Sequence, residues 1–262
     1  MGFNVRRMLD GRSAQLLEGF FMEKNARIEV WLHYTLSFVG GYMCIYALLA
    51  RTMLGAGQTG NMVYLIWGIL GRNFYDVVVR MGALAVYIVA IVLTIWLPRR
   101  FSIGLKSWCI LVDAAVVLLL GFLPENMEPY VGLYPIFFST AFQWCSFKGA
   151  GGYNCSTTFS TNTLRQFVAG IAEFCMTKDR AHLNRAKFYA ASLFWFHAAA
   201  AAGFFCWKLF RIQSIWFNMI PVLCAAGLLA AESGWAPWRV RSFTASAETV
   251  LDGDAAGPEK AA

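Results

Sequence analysis

The segment QTGNMVYLIWGI, residues 58–69, is strongly apolar and unusually short. It opens on small polar residues, and the apolar run stops at Gly71-Arg72. A helix needs about 20 residues to cross a bilayer, so the run is too short for a typical span. It is also too apolar for a surface turn. A similar segment, STNTLRQFVAGI, occurs at residues 160–171. The pair predicts either two re-entrant half-helices or two further full spans.

The composition is that of a membrane protein. Of 262 residues, 58% are hydrophobic and 14% are charged, and the mean hydropathy is +0.52. Soluble domains contain about 25% charged residues. The apolar residues fall in long blocks, which predicts an all-α integral membrane protein with the lipid bilayer as its partner. No basic stripe interleaves with aromatic residues, so we expect no nucleic-acid partner.

Six segments are long enough to span a bilayer. Tryptophan and tyrosine residues lie near their ends, as is typical of residues at the membrane interface. With the two short segments as re-entrant helices, the chain has six transmembrane helices. The six segments are 32–50, 77–97, 107–123, 130–147, 188–207 and 212–231.

Loop charges favour six crossings over eight. If 59–71 enters the membrane and returns, the basic loop 99–106 lies in the cytoplasm. If 59–71 crosses, that loop faces outward, against the rule that positive loops stay inside. The six-span topology puts the acidic loop 125–128 outside and both termini in the cytoplasm. Its one poor fit is the outward position of Lys208 and Arg211.

The chain contains an internal repeat. A shift of 102 residues aligns Thr59 with Thr161 and Gly68 with Gly170. Each half has the same order: a span, a stretch rich in small residues, a short helix and two spans. Three spans per half is an odd number, so the halves are predicted to be inverted repeats. The predicted regions are an amphipathic surface helix (1–30), the first repeat (31–123), the second repeat (130–232) and a disordered tail (233–262).

The repeat predicts a binding site at the membrane midplane. Each short helix would begin there with small polar residues, which cap free backbone amides. Two facing helix N-termini carry partial positive charge and favour an anion or a polar solute. The alternative is that these residues only cap structural helices. The candidate substrate-binding residues are Gln58, Thr59, Gly60, Asn61, Gln143, Thr158, Thr161, Asn162, Thr163 and Arg165.

Two stretches, GGYMCIYALLARTMLGAGQTGNMVYL (40–65) and FQWCSFKGAGGYNCSTTFSTNTLRQF (142–167), carry a resemblance to a known family. They resemble the YoaK-like family of bacterial membrane proteins, which carry a domain of unknown function. The resemblance in architecture extends over residues 30–230. It implies a multi-pass protein of the bacterial inner membrane. The chain differs from many members at Cys44, where they have an acidic residue, and at Thr163, where they have asparagine.

Arg165 and Asp113 are charged residues within apolar segments and are candidates for function. Arg165 lies one turn after Thr161, and a buried arginine usually marks a pathway or a partner. The alternatives are that its side chain reaches toward the interface or pairs with Glu173. Asp113 lies in the middle of a span, where an unpaired carboxylate would be protonated or bind a cation. Asp113 is therefore a candidate for coupled proton movement, or else a member of a structural pair, for example with Arg165.

The sequence favours a transporter or channel over an enzyme. It contains no Ser/His/Asp array, Cys/His pair or phosphate-binding loop, and we expect no cofactor or metal. The first hypothesis is transport of a small polar or anionic solute. The second is a non-transporting module that binds lipid or scaffolds a partner. A polar cavity open to one side would favour the first, and a dry, sealed midplane the second. A homo-oligomer is compatible with both.

Overall fold

The computed structural model describes residues 11–54 and 57–232, with side chains from residue 23 onward. The fold is all-α, as predicted, apart from a two-stranded hairpin. Residues 1–10 and the predicted tail lie outside the described part. The elements are α1 (Gly11–Arg51), α2 (Gln58–Leu70), α3 (Phe74–Arg100), α4 (Leu105–Leu120), α5 (Pro129–Ser146), β1 (Gly149–Ala150), β2 (Tyr153–Asn154), α6 (Thr161–Thr177), α7 (Arg180–Phe210), a 3-10 helix (Arg211–Asn218) and α8 (Met219–Glu232).

Three helical segments are long and apolar enough to cross a membrane: Glu23–Arg51, Phe74–Arg100 and Arg180–Glu232. The last segment contains α7, the 3-10 helix and α8. Arg211, with a φ of 50°, separates α7 from the rest, and Phe210 packs against Phe217 across this break. The prediction of a helical membrane protein therefore holds at this level.

Helix α1 is continuous from Gly11 to Arg51. Backbone hydrogen bonds from each residue to the one four before it satisfy the peptide groups, as apolar surroundings require. Residues 11–30, predicted as a surface helix, therefore join the first predicted span without a break. Their side chains up to residue 22 lie outside the described part.

Polar contacts define two ends of the helical bundle. At the first, the Lys106 end, the ammonium group of Lys106 lies 3.7 Å from Glu29 on α1 and 3.1 Å from Glu232 on α8. At the second, the Arg51 end, the Arg51 guanidinium donates to backbone carbonyls in the loop 124–127, over 2.9–3.0 Å. Helix α1 therefore runs from the Lys106 end to the Arg51 end, and α4, which begins beside Lys106, runs in the same direction.

Each short helix packs against the long helix that follows it, α2 against α3 and α6 against α7. Gly68 of α2 faces Val77, and Gly170 of α6 faces Ala186. These glycines are related by the shift of 102 residues, so the two hairpins use the same packing position. A glycine here lets the two helix backbones approach closely.

The long helices also pack in equivalent pairs. Helix α1 packs against α7 and α8, while α5 packs against α3 and α4. The alternation of buried and exposed residues over 31–43 is the same as that over 131–143. At the centre, a Cβ on Gly40 would meet the carbonyl of Thr157, and one on Gly41 would meet that of Phe196. Both positions of α1 are therefore restricted to glycine.

Candidate functional site

The chain between α5 and α6 turns back into the bundle. The hairpin of β1 and β2 reverses it through Gly149, Gly151 and Gly152, all of which have positive φ. The following residues, Thr157 and Thr158, are buried. This irregular backbone is stabilised from α5, as buried backbone in a membrane requires.

Gln143 of α5 is the residue that fixes this segment. Its side-chain nitrogen donates to the carbonyl of Leu36, at 3.0 Å, and to the hydroxyl of Thr157, at 2.9 Å. Gln143 is fully buried. The predicted site residues Gln143 and Thr158 therefore lie in the wall behind the start of α6.

A cleft of about 830 Å³ opens at the start of α6. Three predicted site residues line it, namely Thr161, Asn162 and Arg165, together with Lys148. Thr163 is buried behind them and lines a separate cavity of about 10 Å³, which is the size of one water molecule. The cleft has aromatic walls as well, since Trp144 and Phe159 form an edge-to-face pair.

Arg165 is exposed on the cleft side of α6, which corrects the prediction that it is buried. Its guanidinium donates to the side-chain oxygen of Asn162, at 3.1 and 3.3 Å. The predicted partner Glu173 binds His182 and Arg185 instead, at 2.9 and 3.2 Å. Because neither Arg165 nor Lys148 has an acidic partner within the described part of the chain, the cleft is electropositive.

The start of α2 has a different environment. Gln58 and Asn61 are buried, while Thr59 and Gly60 are exposed. The Asn61 side chain donates to the side-chain oxygen of Gln58, at 2.9 Å, and to the backbone carbonyl of Arg80, at 3.3 Å. The first turn of α2 is thus fixed to α3.

Arg80 fills the position beside this turn. It is 4% exposed, and its Nε lies 2.7 Å from Asp76. It donates to the hydroxyl of Tyr130 on α5, and its guanidinium lies between the rings of Tyr64 and Tyr130, 4.7 and 4.2 Å from their centroids. Arg80 was not predicted as a functional or structural residue from the sequence. Its position within an apolar segment, four residues after an aspartate, would have indicated a buried ion pair.

The structure does not bring the two predicted walls of the site together. The α2 group contacts Tyr130 at one end of α5, whereas the α6 group contacts Gln143 near the other. These positions are 13 residues apart, or about 20 Å along a helix. The cleft is therefore built from the second half of the chain alone.

Asp113 lies apart from the cleft, in the core between α4, α5 and α1. It is fully buried and accepts hydrogen bonds from the hydroxyl of Ser139 and from the thiol of Cys109, the latter at 3.7 Å. Arg165, the example of a structural partner given by the sequence, is therefore not the partner of Asp113, whose described partners are Ser139 and Cys109. Among the described residues, no group of three or more His, Cys, Asp or Glu side chains is arranged to hold a metal ion.

Comparison with known proteins gives one match. Residues 32–228 match a family model described as "Protein of unknown function (DUF1275)". This is consistent with the resemblance to the YoaK-like family and covers the same region. Searches of curated proteins and of solved structures give no match.

Proposed function

The chain belongs to the DUF1275 family of proteins of unknown function, and we propose that it is a six-span membrane transporter or channel-like protein for a small polar or anionic solute. The solute binds in the cleft at the N-terminus of α6. The observation that supports this proposal most is the cleft itself. It is lined by two cationic side chains and an exposed helix start, and no acidic side chain is among its lining residues.

The order of contacts along the chain supports six crossings. Helix α3 begins near the Arg51 end, where Tyr134 of α5 donates to the carbonyl of Val79 at 2.8 Å, and it leads to α4 at the Lys106 end. Helix α7 begins at the Lys106 end, and α8 returns to it. The segments that contain the short helices α2 and α6 each enter the protein and return to the same side, so neither adds a crossing.

Pairing of charges removes the one poor fit of this topology. Arg211 lies 3.7 Å from Glu125, and its guanidinium is 5.2 Å from the ring centroid of Trp207. The ammonium group of Lys208 lies 4.9 Å from the ring centroid of Phe204. These residues thus have local partners at the Arg51 end, while the basic loops at 99–106 and 178–187 support a cytoplasmic position for the Lys106 end.

The equivalent packing pairs support inverted repeats. Helix α1 runs from the Lys106 end to the Arg51 end, and its counterpart α5 runs the opposite way. Each half contributes three crossings and one short helix. Opposite directions for equivalent helices are what a two-fold axis in the membrane plane requires.

The cleft has the chemistry of an anion site. The first amides of α6 lack partners within the helix and carry partial positive charge. Arg165 and Lys148 add full charges. An exposed arginine at membrane depth is costly in hydrocarbon, so the cleft must contain water or an anionic group. A polar cavity open to one side favours transport over a sealed structural module.

The start of α2, which is equivalent to the start of α6, is built differently. Arg80 packs with Tyr64 and Tyr130 on its buried side, while Thr59 and Gly60 are exposed. In the proposed mechanism the cleft is reached from one side, as in one state of an alternating-access transporter. In this proposal the described conformation is open to the cytoplasm.

Binding of inorganic and small organic anions to the purified protein tests the proposal. Loss of a charged hydrogen-bonding partner costs about 1.5–3 kcal/mol, so Arg165→Ala should weaken binding by about 10- to 100-fold. Arg165→Lys keeps the charge but not the fork of donors and should recover binding only in part. Arg180→Ala, on an exposed arginine outside the cleft, is the matched control.

Measuring the stability of the Arg165→Ala variant distinguishes a binding role of Arg165 from a structural one. Because Arg165 is exposed and its hydrogen bonds within the described part of the chain are to Asn162, its alanine variant should unfold like the wild type. Equal anion affinity in the wild type and the Arg165→Ala variant would overturn the proposed site. Binding of anionic lipid in nanodiscs, with no binding of soluble anions, would support the lipid-binding alternative.

A further inference from the structure

We infer that Asp113 is a proton-binding site whose occupancy controls anion affinity in the cleft. This inference rests on the proposed function. Asp113 has no exposed surface, and its described partners, Ser139 and Cys109, are neutral. A carboxylate buried without a cation is strongly unfavourable unless it takes up a proton.

Among the described residues, no cation contacts Asp113. The buried arginines Arg51 and Arg80 contact Gly132 and Tyr130, about two turns or more along α5 from Ser139. Lys106 is held at the end of the bundle by acidic partners. The titratable side chains on the helices of this core include Cys109 on α4, Cys145 on α5, Tyr87 on α3 and Tyr42, Cys44 and Tyr46 on α1, and none of these groups can carry a positive charge.

The internal repeat supplies a comparison for the structural role of this position. Asp113 contacts Ser139 of α5, and Asn218 contacts Val39 of α1. Val39 and Ser139 are equivalent in the shared burial pattern of α1 and α5. Cys109 and Ser214 likewise lie four residues before the two polar residues. The second half therefore uses a neutral amide where the first half uses a carboxyl group. A neutral group of the same shape is enough for packing. What a carboxyl group adds at position 113 is the ability to bind and release a proton.

A buried face of α5 connects Asp113 to the cleft. Ser139 and Gln143 lie one turn apart on this face, and both are fully buried. Ser139 binds Asp113, while Gln143 holds Thr157, next to the cleft residue Ser156. When the carboxylate takes up a proton, it loses its negative charge and can donate a hydrogen bond. This change reaches the cleft through α5 and through the electric field.

The sign of the coupling follows from the charges. Ionised Asp113 repels an anion in the cleft, and protonated Asp113 does not. Anions should therefore bind more tightly at acidic pH, and anion binding should promote proton uptake by the same factor. The expected ratio of affinities between the two protonation states is about 5- to 150-fold, the usual range for coupled sites.

Infrared difference spectroscopy during a pH titration tests the proton site without any solute. On acidification the wild type should gain one carbonyl band of a protonated carboxylic acid that the Asp113→Asn protein lacks, since all other carboxylates contribute to both spectra. Glu125→Gln, at an exposed carboxylate, should keep the band. Asp113→Asn is expected to fold because asparagine occupies the equivalent position 218. A band unchanged in the Asp113→Asn protein, or one that depends on sodium at fixed pH, would overturn the assignment.

Anion affinity measured across the same pH range tests the coupling. The Asp113→Asn protein should bind with an affinity independent of pH and equal to that of the protonated wild type. An unchanged pH dependence in this variant would overturn the coupling. If the wild type binds no anion at all, the proposed function fails, and the infrared band still reports separately on the proton site.

Discussion

Replacement of Arg80 by methionine should destabilise the protein strongly because Arg80 of α3 contacts both α2 and α5 through hydrogen bonds and aromatic rings. The change breaks the 2.7 Å ion pair with Asp76 and removes the contacts with Tyr130 and Asn61. Breaking a buried ion pair costs about 3–5 kcal/mol. Because the Asp76 side chain is 19% exposed, water recovers part of this energy, and we expect a loss of about 2–3 kcal/mol.

The free energy of unfolding in mixed detergent micelles provides the measurement. The control is Arg72→Met, at an exposed position in the turn between α2 and α3, which should change stability by less than about 0.5 kcal/mol. A double-mutant cycle with Asp76→Asn should give a coupling energy of about 1–3 kcal/mol. A loss for Arg80→Met no larger than that for Arg72→Met would refute the assignment of Arg80 as the residue that fastens α2.

Two further predictions concern packing and topology. Gly41→Ala should lose about 1–3 kcal/mol in the same assay, since its Cβ would meet the α7 backbone, whereas Gly227→Ala, which has open space, should gain about 0.5–1 kcal/mol. Equal effects at the two glycines would contradict the close approach of α1 and α7. In a cysteine-free background, a cysteine at Glu125 should react with an external impermeant thiol reagent, and one at Arg99 should not. External labelling at position 99 would exclude the six-span topology.

The sequence predicted the helices well because long apolar blocks leave the backbone few alternatives in a bilayer. The short helices at 58–70 and 161–177 were also found, since glycine-rich breaks and small polar residues mark their starts. Gly68 and Gly170, which the shift of 102 residues relates, each face the helix that follows their own short helix. The hairpin at 149–154 was not predicted from the stretch rich in small residues.

The candidate site was predicted only in part. Thr161, Asn162 and Arg165 do meet at one cleft, because they share the first turns of one helix. Their expected partners on α2 lie at the far end of α5, and sequence symmetry alone gives no distance between two equivalent sites. The partners of the charged residues could not be predicted from the sequence either. Arg80 and Asp76 pair locally, and Glu173 binds α7, because side-chain reach after folding decides such contacts.

Uptake by proteoliposomes tests most directly whether this protein transports a solute through the α6 cleft. The assay compares wild type, Arg165→Ala and protein-free liposomes over a panel of small anions and neutral polar solutes. The wild type should accumulate at least one anion above the protein-free level, and Arg165→Ala should lose most of that uptake while remaining folded. No uptake of any solute by the wild type, or equal uptake by the Arg165→Ala protein, would contradict this account.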